Sequence, residues 1–385
     1  MRNIYLDNAA TSPVFPEVID SISKSLQSDY GNPSSLHRLG IQSEKKIRRA
    51  GQLISNTLGI ESGQIIFTSG GTEANNMAII GAALARQRQG RHLITTLIEH
   101  PSVLRTFEFL EEQAFEVTYL PVDERGLVCL DRLKEAIRKD TILVSIMHVN
   151  NEIGSIQPIR EIGQAIKAIN RDIVFHVDAV QSFGRLDLSP RDCQIDLLTA
   201  SGHKIHGPKG IGFLYKKADI RLRPIIFGGG QQDDLRSGTE NLSGIVGLEK
   251  AVEMINQKKK ECPNKLYNLK DLLLTQIKKE LAQAVFPVDP TLTAPHIISI
   301  AFPGLLGEVI LHALEEENVY VGTGSACSGR RRQQSHVLKA VGLDSRAIEA
   351  AIRVSTSYMT SQEDIKDFVT ILKNVVKRLE RFSRR

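Results

Sequence analysis

The sharpest chemical signal in the chain is Thr199-Ala200-Ser201-Gly202-His203-Lys204-Ile205-His206-Gly207-Pro208-Lys209-Gly210. A lysine follows an apolar strand and is hemmed in by small residues and His203. Burial makes a lysine lose its proton more readily and turns it into a nucleophilic amine, as a Schiff base requires. Lysines are mostly surface residues, so the context singles out Lys204 rather than the residue type. A second signal is Phe175-His176-Val177-Asp178-Ala179-Val180-Gln181. It puts a carboxylate at the C-terminal end of a strand, where α/β sheets hold ligands. A buried carboxylate needs a cation or several donors. The other reading of Asp178 is a cap for the next helix. A third signal is Ile65-Ile66-Phe67-Thr68-Ser69-Gly70-Gly71-Thr72-Glu73, a strand running through small residues into a helix. Backbone N–H groups at a helix start suit a phosphate. Taken alone, the segment reads as a plain turn with Thr72 as N-cap.

Together the three segments match one cofactor. Pyridoxal phosphate needs a phosphate cup, an acid beside its ring nitrogen and a lysine for its aldehyde. Ile98-Glu99-His100-Pro101-Ser102 adds a histidine just past a strand, able to stack on a ring. A lone histidine in such a place is more often structural. Ser201, His203 and Thr239 could add phosphate or hydroxyl contacts.

Further motifs extend the pattern: Tyr5-Leu6-Asp7-Asn8-Ala9-Ala10-Thr11, Gly31-Asn32-Pro33-Ser34-Ser35, His148-Val149-Asn150-Asn151-Glu152-Ile153-Gly154, Arg236-Ser237-Gly238-Thr239 and Gly324-Ser325-Ala326-Cys327. With them, nearly the whole chain resembles the cysteine desulfurases of the NifS/IscS type, within the class V aminotransferase family of fold-type I pyridoxal-phosphate enzymes. The resemblance implies that Lys204 holds the cofactor aldehyde and then acts as base. Asp178 would pair with the ring nitrogen and Gln181 with the phenolic oxygen. His100 would stack on the ring and assist proton transfer. Gly71, Thr72, Ser201 and His203 would surround the phosphate, Gly202 would also contact the cofactor, and Thr239 would reach the phosphate from the second subunit of a homodimer. Asn151, beside the cofactor, and Arg353 would bind the substrate carboxylate, where a bidentate arginine gives orientation as well as affinity. Cys327 would attack the sulfur of L-cysteine as a thiolate and keep it as a persulfide while alanine leaves.

Cys327 lies among small residues, in Val321-Gly322-Thr323-Gly324-Ser325-Ala326-Cys327-Ser328-Gly329-Arg330-Arg331-Arg332. This composition predicts an exposed loop. The arginines could lower the thiol pKa and favour an anionic acceptor, or merely solubilise a loop tip. The resemblance implies a sulfur-acceptor protein serving iron–sulfur assembly or tRNA thiolation. It also implies Cys327 as a transient iron–sulfur cluster ligand. Selenocysteine lyase and a class V aminotransferase without desulfurase activity are the alternatives within the enzymes. A non-catalytic scaffold and a nucleic-acid binder are the alternatives outside them.

The elements that must position these residues are legible in the patterning. Apolar runs at Ile65–Thr68, His92–Thr96, Glu116–Leu120, Ile142–His148, Ile173–Asp178, Leu197–Ala200 and Gly212–Tyr215 alternate with helical patterns at Glu73–Arg88, Ser102–Gln113, Leu130–Lys139 and Ile159–Ile169. This predicts an α/β fold with a mostly parallel seven-stranded sheet. The pattern changes after the helix Leu248–Glu261. A large cofactor domain over 15–261 and a smaller α/β domain from 1–14 and 262–385 are therefore expected, the latter ending in an amphipathic helix from Gln362 to about Arg381.

The 385 residues suit two domains at about 150 residues each. A net charge of +5 is too mild for a dedicated nucleic-acid binder, so no direct nucleic-acid binding is expected. No apolar run is long enough to span a bilayer, and no apolar signal core follows Met1, so a cytoplasmic protein is expected. Cysteines 129, 193, 262 and 327 form no C-x-x-C pair and no disulfide framework. By default each is a small buried hydrophobe.

Overall fold

The computed structural model describes residues 2–60, 65–323 and 334–383. Its elements run β1 (Ile4–Tyr5), α1 (Pro16–Ser28), α2 (Arg38–Leu58), β2 (Ile65–Thr68), α3 (Gly71–Arg86), β3 (His92–Thr96), α4 (Pro101–Glu112), β4 (Glu116–Leu120), α5 (Leu130–Ala136), β5 (Thr141–Ser145), α6 (Ile159–Ile169), β6 (Val174–Asp178), β7 (Leu197–Ser201) and β8 (Gly212–Lys216). They continue with α7 (Leu242–Glu261), α8 (Lys265–Glu280), β9 (Ile297–Ala301), α9 (Gly307–Glu315), β10 (Val319–Tyr320), α10 (His336–Ala340), α11 (Ser345–Glu349), β11 (Ala351–Ser355) and α12 (Gln362–Ser383).

Seven strands form one sheet in the order β2-β8-β7-β6-β5-β3-β4. All neighbours are parallel except β8, which runs against both β2 and β7. Side chains alternate across the sheet. Phe175, Val177, Leu198 and Phe213 join one apolar cluster with α6 and α7. Val174, Leu197 and Leu214 join another with α3 and α4. The period of two therefore feeds two helical layers from the same strands, which explains why the strands read as apolar on both faces. The parallel ladders leave the C-terminal ends of β2, β3, β5, β6 and β7 at one edge, where the chemistry-bearing loops begin.

A third apolar cluster joins Ile4 and Leu6 to residues of α8, β9, α9, β11 and α12. There β9 pairs antiparallel with β11, and β1 pairs parallel with β10.

Several boundaries differ from the sequence reading. β5 ends at Ser145 rather than His148. Beyond it the chain stays bonded to β6, with Ile146 N–H donating to His176 O at 3.1 Å and His148 N–H to Asp178 O at 2.9 Å. α5 stops at Ala136 because the N–H of Arg138 donates to the Thr141 hydroxyl oxygen. α7 starts six residues early, at Leu242, where the Asn241 side chain caps the Gly244 N–H. α3 begins at Gly71 with Gly70 at the N-cap, so Thr72 is not the cap. Of the cysteines, Cys193 is buried while Cys129 and Cys262 are exposed, because the latter two sit at the ends of α5 and α7. Cys327 and Arg330–Arg332 lie outside the described residues. No described helix is long and apolar enough to cross a membrane.

Candidate active site

Asp178 ends β6 in a nearly closed setting, 5% exposed. One carboxylate oxygen accepts the Val180 N–H at 2.9 Å and the other accepts Asn75 Nδ2 at 2.8 Å. Asn75 is a hub. It also donates to Ser102 Oγ and accepts the Thr199 hydroxyl at 2.6 Å. It thus ties β6, β7 and the start of α4 together from α3. Among the described residues, no cation forms an ion pair with Asp178.

Lys204 sits in the single turn after β7, half-buried. Its Nζ donates to the carbonyls of Ala9 and Ala10, each at 2.6 Å. Ala9 O also accepts Gln181 Nε2 at 2.9 Å. His203 Nδ1 lies 3.2 Å from Thr11 Oγ1, and the Ser12 hydroxyl donates to His203 O. The N-terminal strand-and-turn therefore straps both lysine and glutamine loops. Burial, aided by the Lys204 and Lys209 charges, pushes His203 down to about 4. It is neutral near pH 7.

Gly70, Gly71 and Ser201 meet where β2 and β7 end. Gly70 has φ +154, a backbone state that disfavours any side chain. A Cβ on Gly71 would lie 2.7 Å from Val180 Cγ2 and 3.6 Å from Ser201 Cβ. Ser201 Oγ is buried with no hydrogen-bond partner among the described residues. Gly202 is buried in the next turn, and Thr72 is exposed at the rim. Gly212, on β8, backs this loop: its Cβ would lie 2.6 Å from Ala200 O and 2.8 Å from Gly70 Cα. Gly212→Ala should therefore displace Gly70 and weaken pyridoxal-phosphate binding about tenfold, or about 1.4 kcal/mol. Titrating apoprotein with the cofactor checks this. Gly51→Ala serves as control, since its Cβ meets nothing within 4 Å in α2. It should stabilise by up to about 1 kcal/mol and leave cofactor affinity unchanged.

His100 caps α4, its Nδ1 accepting the Ser102 N–H at 3.1 Å and lying 2.8 Å from Ser102 Oγ. Burial lowers its pKa, with Lys204 adding and Asp178 opposing. Thr72, Asn76, His100 and Ser102 line one open hollow. Behind it, burial pushes Glu99 up to about 8 against two donors, and the Asp178 charge adds to the rise. Glu99 is then mostly protonated at neutral pH.

Arg353, on β11, is 3% exposed. It donates from Nη1 to Asn151 O at 2.9 Å and pairs through Nη2 with Asp7 at 2.7 Å. Its Nε is buried without a partner among the described residues. Asn151 is itself buried. Gly322 exchanges backbone hydrogen bonds with Arg353, and a Cβ there would lie 2.7 Å from Asp7 Oδ1. Thr239 is exposed, and no hydrogen bond among the described residues joins it to this site. Cys327 follows Gly322 by five positions, outside the described residues.

The family model for class V aminotransferases matches residues 4–368. The chain belongs to the class V aminotransferase family. It is 41% identical to a protein named cysteine desulfurase IscS from Dictyoglomus turgidum, over 99% of this chain and 96% of the relative. It is 44% identical to putative cysteine desulfurase IscS 1 from Bacillus subtilis, over 98% and 100%. Among solved structures, a NifS-like protein is similar at TM-score 0.91 and 34% identity, covering 98% of this chain and all of that one. A second, SspA in complex with cysteine, is similar at TM-score 0.79 and 37% identity, covering 91% and 98%.

Class V aminotransferases depend on pyridoxal phosphate, and the residues present suit it. Asp178 is a buried carboxylate with two neutral donors and, among the described residues, no ion-pair cation, a setting that suits a protonated ring nitrogen. The unpartnered Ser201 hydroxyl faces the glycine turn at the start of α3, a donor set for phosphate. Sequence reasoning missed Asn75, the Ala9 and Ala10 carbonyls, and Asp7 as partner of Arg353. Asn75 had one visible signal, an amide interrupting the apolar face Ala74, Met77, Ala78. The carbonyls had none, since every residue carries one.

Proposed function

We propose that the chain is a pyridoxal-phosphate-dependent cysteine desulfurase that converts L-cysteine to L-alanine and holds the sulfur as a persulfide on Cys327. The observation that carries this reading is that Lys204 and Asp178, which pairs with no cation among the described residues, both act on His100 at the strand ends, in a chain similar along its whole length to proteins named cysteine desulfurase.

Bound pyridoxal phosphate supplies an aldehyde and an electron-withdrawing ring that stabilises charge left on an amino acid's Cα. The chain's residues do the rest. Asp178 holds the proton on the ring nitrogen, and Asn75 holds Asp178. Gln181 serves the phenolic oxygen. Gly71, Thr72, Ser201, Gly202 and His203 hold the phosphate, with Thr239 joining them from the partner of a homodimer; its exposure in one protomer suits that role. Arg353 and Asn151 orient the substrate carboxylate, the buried Nε of Arg353 being free to donate. Lys204 provides the covalent anchor and then takes the Cα proton. His100, kept neutral by burial, passes protons beside the ring. The Cys327 thiolate attacks the substrate sulfur. An S–S bond forms, the C–S bond breaks, and its electron pair stays with carbon, which is protonated and leaves as alanine.

The same reading divides the chain into a large domain, 15–261, and a small one, 1–14 with 262–385. The apolar cluster joining Ile4 and Leu6 to residues beyond 262 supports it. The persulfide passes to an acceptor protein of iron–sulfur assembly or tRNA thiolation, and Cys327 can then serve as a transient cluster ligand.

The test is alanine formation from L-cysteine with a thiol reductant, by the protein loaded with pyridoxal phosphate. Alanine and sulfide should appear in equal amounts. Turnover of L-selenocysteine alone would favour a lyase for that substrate, and a need for an oxo-acid would favour an aminotransferase.

A further inference from the structure

Arg185 belongs to none of the motifs that identify the site, yet it lies directly behind it. It lies in the turn after β6, next to Gly184, which takes φ +76 and where a Cβ would meet Ile255 Cγ2 at 2.9 Å. The side chain is 7% exposed. Its Nη1 donates to Gln181 O at 3.2 Å and its Nη2 to Lys204 O at 2.5 Å. Among the described residues no carboxylate forms an ion pair with it. Its neighbours are instead His203, His206, His296 and Tyr358, which feel its charge. Burial pushes Arg185 down to about 10, so it stays charged at neutral pH.

A guanidinium buried without an acid is costly, and an apolar residue of similar volume would often be tolerated in its place. What an apolar residue could not do is bond both carbonyls or carry a charge. We propose that Arg185 is a positioning residue for Lys204, which clamps the lysine's turn to the Gln181 turn and sets a fixed positive charge behind the lysine. Both effects bear on the amine. The clamp fixes the backbone from which Lys204 reaches the cofactor. The charge disfavours a second positive charge on the lysine nitrogen, a means by which a neighbouring cation activates a lysine.

The inference rests on Lys204 as the cofactor lysine. That reading is tested separately by the wild type's visible absorption with bound pyridoxal phosphate and by its loss in Lys204→Ala. The Arg185 test then follows how the band of the full chain, loaded with pyridoxal phosphate, changes with pH. Other groups around Lys204 leave the window clear. His203 and His206 are held at about 4, His100 is lowered by burial, and Tyr5 is pushed up to about 12. The Asp178 carboxylate lies on the same side, its charge felt at His100.

In Arg185→Met the positive charge is gone, so the protonated form of the lysine-bound nitrogen persists to higher pH. The midpoint should rise by about 1 pH unit, tenfold in proton affinity. Arg185→Lys keeps the charge but not the two-pronged clamp. It should keep the midpoint near the wild-type value while cofactor dissociates faster. An unchanged midpoint in a folded Arg185→Met protein would overturn the proposal and leave a purely structural arginine. If Arg185→Met does not fold, Arg185→Lys decides: a midpoint displaced like that expected for the methionine variant, or cofactor release as slow as wild type, overturns it.

Discussion

Lys204→Ala should fold, lose the visible absorption of lysine-bound cofactor, and form alanine from L-cysteine at least about 10³-fold more slowly. In the proposed reading the substitution removes the covalent anchor and the Cα base together, and no other lysine reaches the Ala9 and Ala10 carbonyls among the described residues. Stability should change little. Two carbonyls lose one partner, but Ala9 O keeps Gln181 Nε2, and the lysine is only half-buried. A loss of about 1–2 kcal/mol is expected, well within the stability of a folded domain. Circular dichroism checks the fold, absorption checks the anchor, and amino-acid analysis checks turnover. A variant that keeps the band would remove Lys204 from its role.

Cys327→Ser should give the complementary pattern. The cofactor band and the fold should remain, because in the proposed reading Cys327 acts on substrate sulfur rather than on the cofactor. Alanine formation should fall at least about 10³-fold, since a serine hydroxyl is far less nucleophilic at neutral pH and forms no persulfide. Mass spectrometry after brief exposure to L-cysteine should find one added sulfur on the wild-type peptide containing Cys327 and none on the variant. Full turnover by Cys327→Ser would instead point to an aminotransferase. The two variants together separate anchoring and proton transfer from sulfur capture.

The central sheet was legible because burial on both faces demands apolar, β-branched runs, and each of the seven runs overlaps one of the seven strands. The strands were less legible at their ends. The hydrogen bonds of Ile146 and His148 continue along β6 past the formal end of β5, so the apolar pattern overshoots. Helix starts depended on single side chains. Thr72 looked like a cap, but the cap is Gly70, whose φ of +154 suits glycine, and the helix begins at Gly71, two residues earlier than a Thr72 cap implies. The exposed Cys129 and Cys262 show that residue-type averages fail at helix ends.

By itself the sequence determined the layered α/β arrangement and singled out Lys204, Asp178 and His100 as candidates, while Arg353 entered only through the family resemblance. Periodicity reports burial, and short motifs report which side chains stand at strand ends. The tertiary structure alone decided what those side chains touch. Asn75 reaches Asp178 across 103 positions, Asp7 reaches Arg353 across 346, and the Ala9 carbonyl meets Lys204 across 195. Such contacts leave no local trace, because their partners are backbone carbonyls or common polar residues brought together only when the sheet closes. Arg185 is the extreme case: its two partners are main-chain oxygens, which every sequence possesses and only the fold can place.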